Sequence, residues 1–399
     1  MIKVFNNENL TFLAAFFLNL LLLLHAVSNL SISYYEADLF FNEEGLVGFI
    51  ARLSCQIFGQ NEFALRAPFL FIHFINSILI FKVSKVMLKR RVDRLISAII
   101  YMFLPGVMAS AILVNMAGII IFFTLLFLYF FKVKNVNLAI FILILTIFID
   151  KSFSVLYLAV FFYALYYKSK SLSAISGILF ILNLIIYSFN IGGKPNGYFL
   201  DTIGVFAAVF SPFVFMFFVY SMYRIWVKEE KNLLWFIVIT SFCASLLLSF
   251  RQRVELEEFL PYTAIAVPLM VRIFFISYRV RLPKFRKGYK ALAVCLFMTL
   301  SVYSFLVVFN QVLYPLAFKD DPKKHFIYKY DIVKQLASEL KNRKIYKVMT
   351  VDDELRLRLE FYGIENGGEY ILIDEDIALS NSQINIYSFD TLKAKYYIF

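Results

Sequence analysis

The sequence predicts an all-α membrane protein with about eleven transmembrane helices, followed by a small soluble α/β domain. Of its 399 residues, 61% are hydrophobic, 17% are charged and 48 are Phe, and the mean hydropathy is +0.74. Average soluble domains carry about 25% charged residues. A soluble fold could not bury this much apolar surface, so the composition excludes one. The 3 Cys have no paired spacing and predict neither a disulfide framework nor a zinc site.

Apolar runs along the chain define the expected helices. A helix needs about 20 residues to cross a hydrocarbon core of about 30 Å. No small-residue cleavage site follows the first run, so we expect an uncleaved anchor rather than a signal peptide. The expected spans cover residues 9–30, 66–88, 95–114, 117–133, 136–149, 152–167, 171–191, 204–226, 233–250, 259–278 and 291–313.

The basic residues predict the orientation of these spans. When the loops are assigned alternately to the two sides, 20 Lys and Arg residues fall on the side of the N-terminus and 6 on the opposite side. Cytoplasmic loops of membrane proteins are enriched in Lys and Arg. We therefore expect a multi-pass protein of the bacterial inner membrane, with a cytoplasmic N-terminus and a periplasmic C-terminus.

The longest loop between spans, residues 31–65, is expected on the periplasmic side of a transmembrane body that covers residues 1–318. Within this loop Leu46, Phe49 and Leu53 recur at helical spacing. Apolar residues at that spacing, with polar residues opposite, are typical of a helix that lies in the membrane interface.

The last part of the chain, residues 319–399, has the composition of a soluble domain, with 13 basic and 14 acidic residues. Helical patterns at 329–342 and 353–361 alternate with strand patterns at 345–351, 370–374 and 384–389. Such alternation predicts a small α/β domain. An odd number of spans before it places this domain in the periplasm.

One pair of expected spans is too short for its task. Residues 136–167 must cross the membrane twice, yet about 32 residues cannot form two full spans. We therefore expect the turn at Asp150 and Lys151 to lie below the outer surface, in a cavity. Ionisable residues at membrane depth are costly and are often functional. A loop whose lysine snorkels to the surface is the alternative.

Three segments resemble the membrane glycosyltransferases of the C-type (GT-C) fold. The first is FGQNEFALRAPF at 58–69, which follows an acidic stretch and the interfacial helix. The segment IDKSFSVLYLAVFFYALYY at 149–167 is similar to the one that carries the family's lysine. The segment SFRQRVELEEFLPYTAIAVPLM at 249–270 is similar to the family's late stretch with a basic residue, Tyr and Pro. The sequence most resembles glycosyltransferase family 39, the group of aminoarabinose transferases, protein mannosyltransferases and Rgt-like enzymes.

This resemblance implies an enzyme that moves a hexosyl or pentosyl group from a polyprenyl-phosphate donor to a lipid, glycan or protein acceptor, such as lipid A or another cell-surface glycan. Its partners would be the donor, the acceptor and membrane lipids, with no nucleic acid. No metal-ligand spacing occurs, and a divalent cation stays open as a cofactor. The sequence departs from the family at Asn42, before the interfacial helix, and at Asn115, where a second acid is expected.

The implied reaction needs a carboxylate that takes a proton from the acceptor hydroxyl and cations that stabilise the leaving phosphate. Glu36 and Asp38 are the candidate catalytic carboxylates, because an extended stretch would place both on one side. Two adjacent like charges would strengthen one of them as a base. Either residue can be the base, or both can lie on a solvated loop face.

The candidate residues for binding the donor phosphate are Lys151, Arg251, Arg253 and Arg66. Anchoring at the membrane surface is the alternative for Arg251 and Arg253. Two other classes of function remain as rivals: a flippase or transporter of a lipid-linked glycan, and a non-catalytic homologue. Transporters often carry internal repeats, and none is visible in this sequence.

Overall fold

The computed structural model describes residues 8–43, 45–187, 197–318, 321–325, 327–374, 382–388 and 391–399. Within these ranges the protein is mostly helical and carries one small sheet near its C-terminus. This result confirms the helical class and the C-terminal sheet that the sequence predicts. The expected start of the soluble domain, at residue 319, lies outside the described residues.

The helices are numbered in chain order. Those that begin before residue 140 are α1 (Glu8–Asn29), α2 (Tyr34–Phe41), α3 (Leu46–Phe58), α4 (Glu62–Met87), α5 (Arg91–Met102), α6 (Pro105–Ile112), α7 (Ala117–Lys132) and α8 (Val136–Leu145). Those that begin between residues 150 and 235 are α9 (Phe153–Tyr166), α10 (Lys170–Tyr187), α11 (Phe199–Phe210), α12 (Pro212–Lys228) and α13 (Leu233–Ser249). The later ones are α14 (Leu260–Ala264), α15 (Val267–Val280), α16 (Arg286–Val308), α17 (Leu313–Ala317), α18 (Val333–Asn342) and α19 (Asp353–Phe361).

Five helical segments of the described chain are long and apolar enough to cross a membrane: α1, α4, α10, Leu260–Val280 and Pro283–Val308. Two further pairs pass the same test if each bent pair counts as one span. These are α5 with α6, bent by 53°, and α11 with α12, bent by 104°. The described residues therefore hold 5 to 7 candidate spans, whereas the sequence predicts about eleven.

The difference lies in four helices that coincide with predicted spans but are short. α7, α9, α13 and the segment Val136–Phe148 each have 10–17 residues. At a rise of about 1.5 Å per residue, such helices are about 15–26 Å long, which is shorter than an average hydrocarbon core of about 30 Å. An apolar run in the sequence locates a helix, but the turns of the backbone set its length.

Proline explains where the two bent pairs break. Pro105 and Pro212 are the first residues of α6 and α12. Proline lacks the backbone N–H and its ring disfavours a helical conformation of the preceding residue. In the second pair the preceding residue, Ser211, has a φ of 70°, which reorients the chain sharply between the two helices.

Contacts within the chain define two compact units. The helical body comprises residues 1–20, 71–111 and 115–304, and the mixed unit comprises residues 21–70, 112–114 and 305–399. The mixed unit therefore groups the first loop with the C-terminal residues, a grouping that the sequence does not predict.

The helical body is built around an extensive apolar core. Within it α9 packs against α10 and α13, and α14 packs against α7 and α13. These contacts bring the turn that precedes α9 and the segment that precedes α14 to the same region, where ion pairs join them.

The mixed unit carries a four-stranded sheet in the order β1-β2-β4-β3. The strands are β1 (Lys347–Thr350), β2 (Glu365–Ile373), β3 (Ser382–Ser388) and β4 (Thr391–Ile398). β1 and β2 are parallel, whereas β4 is antiparallel to both β2 and β3. Leu336 and Leu340 of α18 and Leu359 of α19 belong to the core of this domain. The predicted alternation of helices and strands is confirmed, and β4 is an additional strand.

The first loop folds as two helices joined by a close contact. The predicted helix at Leu46 to Phe58 is confirmed as α3, and its exposed face carries Phe49 and Leu53. A Cβ on Gly48 would lie 2.4 Å from the carbonyl oxygen of Leu39, so only glycine permits this approach of α3 to α2.

Candidate functional site

Glu36 lies in a buried ion pair with Arg66 in the mixed unit. Arg66 Nε donates to Oε1 at 3.1 Å and Nη2 donates to Oε2 at 2.8 Å, and the two residues are 2% and 0% exposed. Ser33 donates to Oε2 from its backbone N–H at 3.0 Å and from its hydroxyl at 3.2 Å. The backbone N–H of Val114 donates to Oε1 at 3.1 Å. Both oxygens of this carboxylate therefore already accept hydrogen bonds.

Arg66 fixes the start of the first loop through the same contacts. Its Nη1 donates to the carbonyl of Leu30 at 3.1 Å and its Nη2 to the carbonyl of Ser31 at 2.8 Å. A buried charge is tolerated when it is paired and hydrogen-bonded on all sides. This geometry favours a structural role for Glu36 and Arg66, because neither side chain presents surface to a substrate.

Asp38 is half-buried on α2 and accepts a hydrogen bond from Asn42 Nδ2 at 2.6 Å. The extended stretch that the sequence analysis assumes is wrong, because Ser33 and Glu36 form a capping box that begins a helix. On a helix, residues two positions apart point to nearly opposite sides. Glu36 and Asp38 therefore do not lie on one face.

C-terminal residues fasten the first loop within the mixed unit. The hydroxyl of Tyr362 donates to Glu62 Oε1 at 2.9 Å and accepts from the N–H of Ile32 at 3.1 Å. Lys334 pairs with Glu62 at 3.2 Å, and Arg358 Nε donates to the carbonyl of Ile32 at 3.1 Å. Glu62 belongs to the block FGQNEFALRAPF, so part of that block serves to hold the C-terminal domain.

A polar cavity of about 310 Å³ opens in the helical body. It is formed by the turn before α9, by α10, by the end of α13 and by the segment that leads to α14. Pockets that hold small ligands span roughly 300–1,000 Å³, so this cavity has room for one small group. Its polar lining residues are Lys151, Asn183, Tyr187, Gln252, Arg253, Glu255 and Glu258.

Lys151 is held by two carboxylates at the cavity wall. Its Nζ lies 2.9 Å from Glu255 Oε2 and 2.7 Å from Glu258 Oε1. Burial raises the pKa of Glu258 to about 7, although Lys151 opposes the rise. The hydrogen bond from Lys151 lowers the pKa of Glu255. Burial also disfavours the charged form of Lys151, but the two carboxylates outweigh it and raise the pKa of the ammonium.

The turn that carries Lys151 is fixed by surrounding side chains. Asp150 Oδ1 accepts from the backbone N–H of Ser152 at 2.8 Å and also from its hydroxyl. The buried hydroxyl of Tyr262 donates to the carbonyl of Ser152 at 2.9 Å, and Asn183 Nδ2 donates to the carbonyl of Asp150 at 3.4 Å. The first two bonds lie within the turn and the other two come from α14 and α10, so the backbone on both sides of Lys151 is held in place.

The predicted phosphate-binding residues are divided between the two units. Lys151 and Arg253 line the same cavity in the helical body. Arg251 is exposed and does not contribute to the described lining of that cavity. Arg66 belongs to the mixed unit, where it forms an ion pair with Glu36.

Glu255 and Glu258 are not among the site residues that the sequence predicts, yet both line the cavity. A signal was present, because carboxylates three positions apart share one face of a helical turn. Glu257, between them, is exposed and does not line the described cavity. Within the described ranges, no group of three or more His, Cys, Asp and Glu side chains is arranged to hold a metal ion.

Comparisons with known proteins add no family to this description. No protein-family model matches the chain, and no curated protein matches it significantly.

Proposed function

We propose that the protein is a polytopic membrane glycosyltransferase of the GT-C fold that transfers a hexosyl or pentosyl group from a polyprenyl-phosphate donor to a lipid, glycan or protein acceptor. One observation carries this proposal: Lys151 and Arg253 meet two carboxylates at one small polar cavity. Cations and a proton acceptor at one site are what this reaction needs.

The reaction breaks the bond between the anomeric carbon and a phosphate oxygen. The electron pair of that bond leaves with the phosphate, so negative charge develops on it. The acceptor oxygen forms the new bond to the anomeric carbon and gives its proton to a carboxylate. An ammonium group has three donors, so Lys151 can bind a phosphate oxygen while it still contacts Glu255 and Glu258. Arg253, on the same cavity, supplies a second positive charge.

The membrane character of the chain agrees with a lipid-linked donor. Five to seven helical segments are suited to a bilayer, and the exposed apolar face of α3 is suited to its interface. The proposal includes eleven crossings, four of them by the short helices, in the bacterial inner membrane. The 20 to 6 division of basic residues favours a cytoplasmic N-terminus and a periplasmic C-terminus.

The proposal is tested by mass spectrometry of lipid A, surface glycans and outer proteins from cells with and without the gene. We expect one product to lose the mass of a single hexose or pentose when the gene is deleted. The loss should be restored by the parental gene and not by the Lys151→Ala variant. A flippase would instead move the donor lipid from one leaflet to the other in reconstituted vesicles, and the sugar-phosphate bond of the donor would stay intact. Unchanged products in deleted cells would contradict the proposal.

A further inference from the structure

The reaction requires a proton acceptor next to the cations, and the cavity offers two carboxylates for this task. Glu36 has its oxygens occupied by five donated hydrogen bonds from Arg66, Ser33 and Val114, and it belongs to the mixed unit. Glu255 and Glu258 line the cavity of the helical body and contact Lys151 directly.

Glu255 and Glu258 differ in exposure and in pKa, and these differences favour one of them as the base. The side chain of Glu255 is 72% exposed, whereas that of Glu258 is 17% exposed. Burial raises the pKa of Glu258 to about 7, while Lys151 lowers that of Glu255. A general base is most effective when its pKa lies near the working pH. Glu258 therefore fits the task and Glu255 is too weak a base.

We propose that Glu258 is the catalytic base that takes the proton from the acceptor hydroxyl, while Lys151 bridges Glu258 and the donor phosphate. This inference rests on the proposed glycosyltransferase function. As the acceptor oxygen bonds to the anomeric carbon, its proton passes to Glu258, and the electron pair of the old bond leaves with the phosphate. Lys151 contacts both the group that gains the proton and the group that gains the negative charge.

Several charged and titratable groups face Glu258 and set its ionisation. Lys151 favours the carboxylate form, whereas Glu255 and burial favour the protonated form. Tyr262 of α14 interacts with Glu258 and with Asp150 of the turn before α9. Tyr187 of α10 and Arg253 of the segment before α14 line the same cavity as Glu258. The base must be deprotonated to act. The transfer rate should therefore rise as the pH increases through about 7 and level off above it.

The test uses the purified full-length protein in nanodiscs with a polyprenyl-phosphate sugar and an acceptor. Glu258→Gln should lower the transfer rate by about 10²–10⁴-fold, leave donor binding within about threefold of the parental value, and abolish the rise with pH. Glu257→Gln is the matched control, because it makes the same change beside the cavity. It should retain the parental rate and pH profile.

The outcomes separate this inference from the proposed function. If the parental protein transfers sugar and Glu258→Gln keeps its rate and pH profile, Glu258 is not the base and the function stands. If the parental protein transfers no sugar from any donor tested, the proposed function fails. Should Glu258→Gln not fold, the parental profile alone decides, since a flat rate between pH 5.5 and 8.5 would overturn the inference.

Discussion

The structural role of the buried Glu36–Arg66 ion pair can be tested by measuring the stability of variants. Glu36→Gln replaces one oxygen with an amide NH₂. At the Oε2 position that NH₂ would face Arg66 Nη2 and both donors of Ser33, and at the Oε1 position it would face Arg66 Nε and Val114 N–H. Either orientation therefore sets a donor against at least two donors, and it leaves the Arg66 charge without its partner.

Breaking one side of a buried ion pair costs about 3–5 kcal/mol, because the remaining charge stays buried. We expect Glu36→Gln to lower the unfolding free energy by about that amount, measured by denaturant titration in micelles. The double variant Glu36→Gln with Arg66→Met should lose less than the sum of the single losses, since no unpaired charge is left. Asp38→Asn is the control, because the Asp38 carboxylate is only half-buried. This variant should change the unfolding free energy by at most about 0.5 kcal/mol.

One result would refute this interpretation of Glu36. If Glu36→Gln kept the parental stability and fold but transferred sugar about 10²–10⁴-fold more slowly, Glu36 would be the base, as one of the alternatives that the sequence leaves open. In our account any loss of transfer in this variant follows its loss of folded protein.

Three further predictions concern the cavity and the mixed unit. Lys151→Ala should weaken donor-lipid binding in nanodiscs by about 10–100-fold, which corresponds to the loss of a hydrogen bond to a charged group. Lys151→Arg should weaken binding less, because it keeps the positive charge. Equal affinity of the parental protein and both variants would favour a snorkelling loop. Arg253→Gln should also weaken donor binding, whereas Arg251→Gln should not, since only Arg253 lines the described cavity; equal effects would point to membrane anchoring. Tyr362→Phe should lower the unfolding free energy by about 1–3 kcal/mol, because the buried Glu62 loses a donor; an unchanged unfolding midpoint would contradict the role of this contact.

The sequence predicts the elements better than it predicts their lengths. Apart from α2, the longer helices and the first three strands lie close to where hydrophobic patterns place them, because those patterns reflect which side chains are buried. β4 was missed because Lys393 and Lys395 interrupt its apolar pattern; Lys393 is nevertheless buried against Asp331. A partner so distant along the chain cannot be recognised from the short stretch of sequence around the strand.

The candidate site was predicted in part for the same reason. Lys151 was found from the shortness of two neighbouring apolar runs, which is a local signal. The conformation around Glu36 is wrong in the sequence prediction, because the pattern Tyr-Glu-Ala-Asp suggests alternation, whereas the capping bond from Ser33 starts a helix there. Glu258 became a candidate through its contact with Lys151, and contacts between distant segments are visible only in the folded chain.

The most direct test of the central claim is a single-turnover assay with a labelled polyprenyl-phosphate sugar, purified protein in nanodiscs and an acceptor extract from cells that lack the gene. The account predicts that the parental protein moves the labelled sugar to an acceptor and releases polyprenyl phosphate in equal amount. Glu257→Gln should do the same, whereas Lys151→Ala and Glu258→Gln should be slower by about 10²-fold or more. Transfer at the parental rate by both cavity variants would contradict the claim that this cavity performs the reaction.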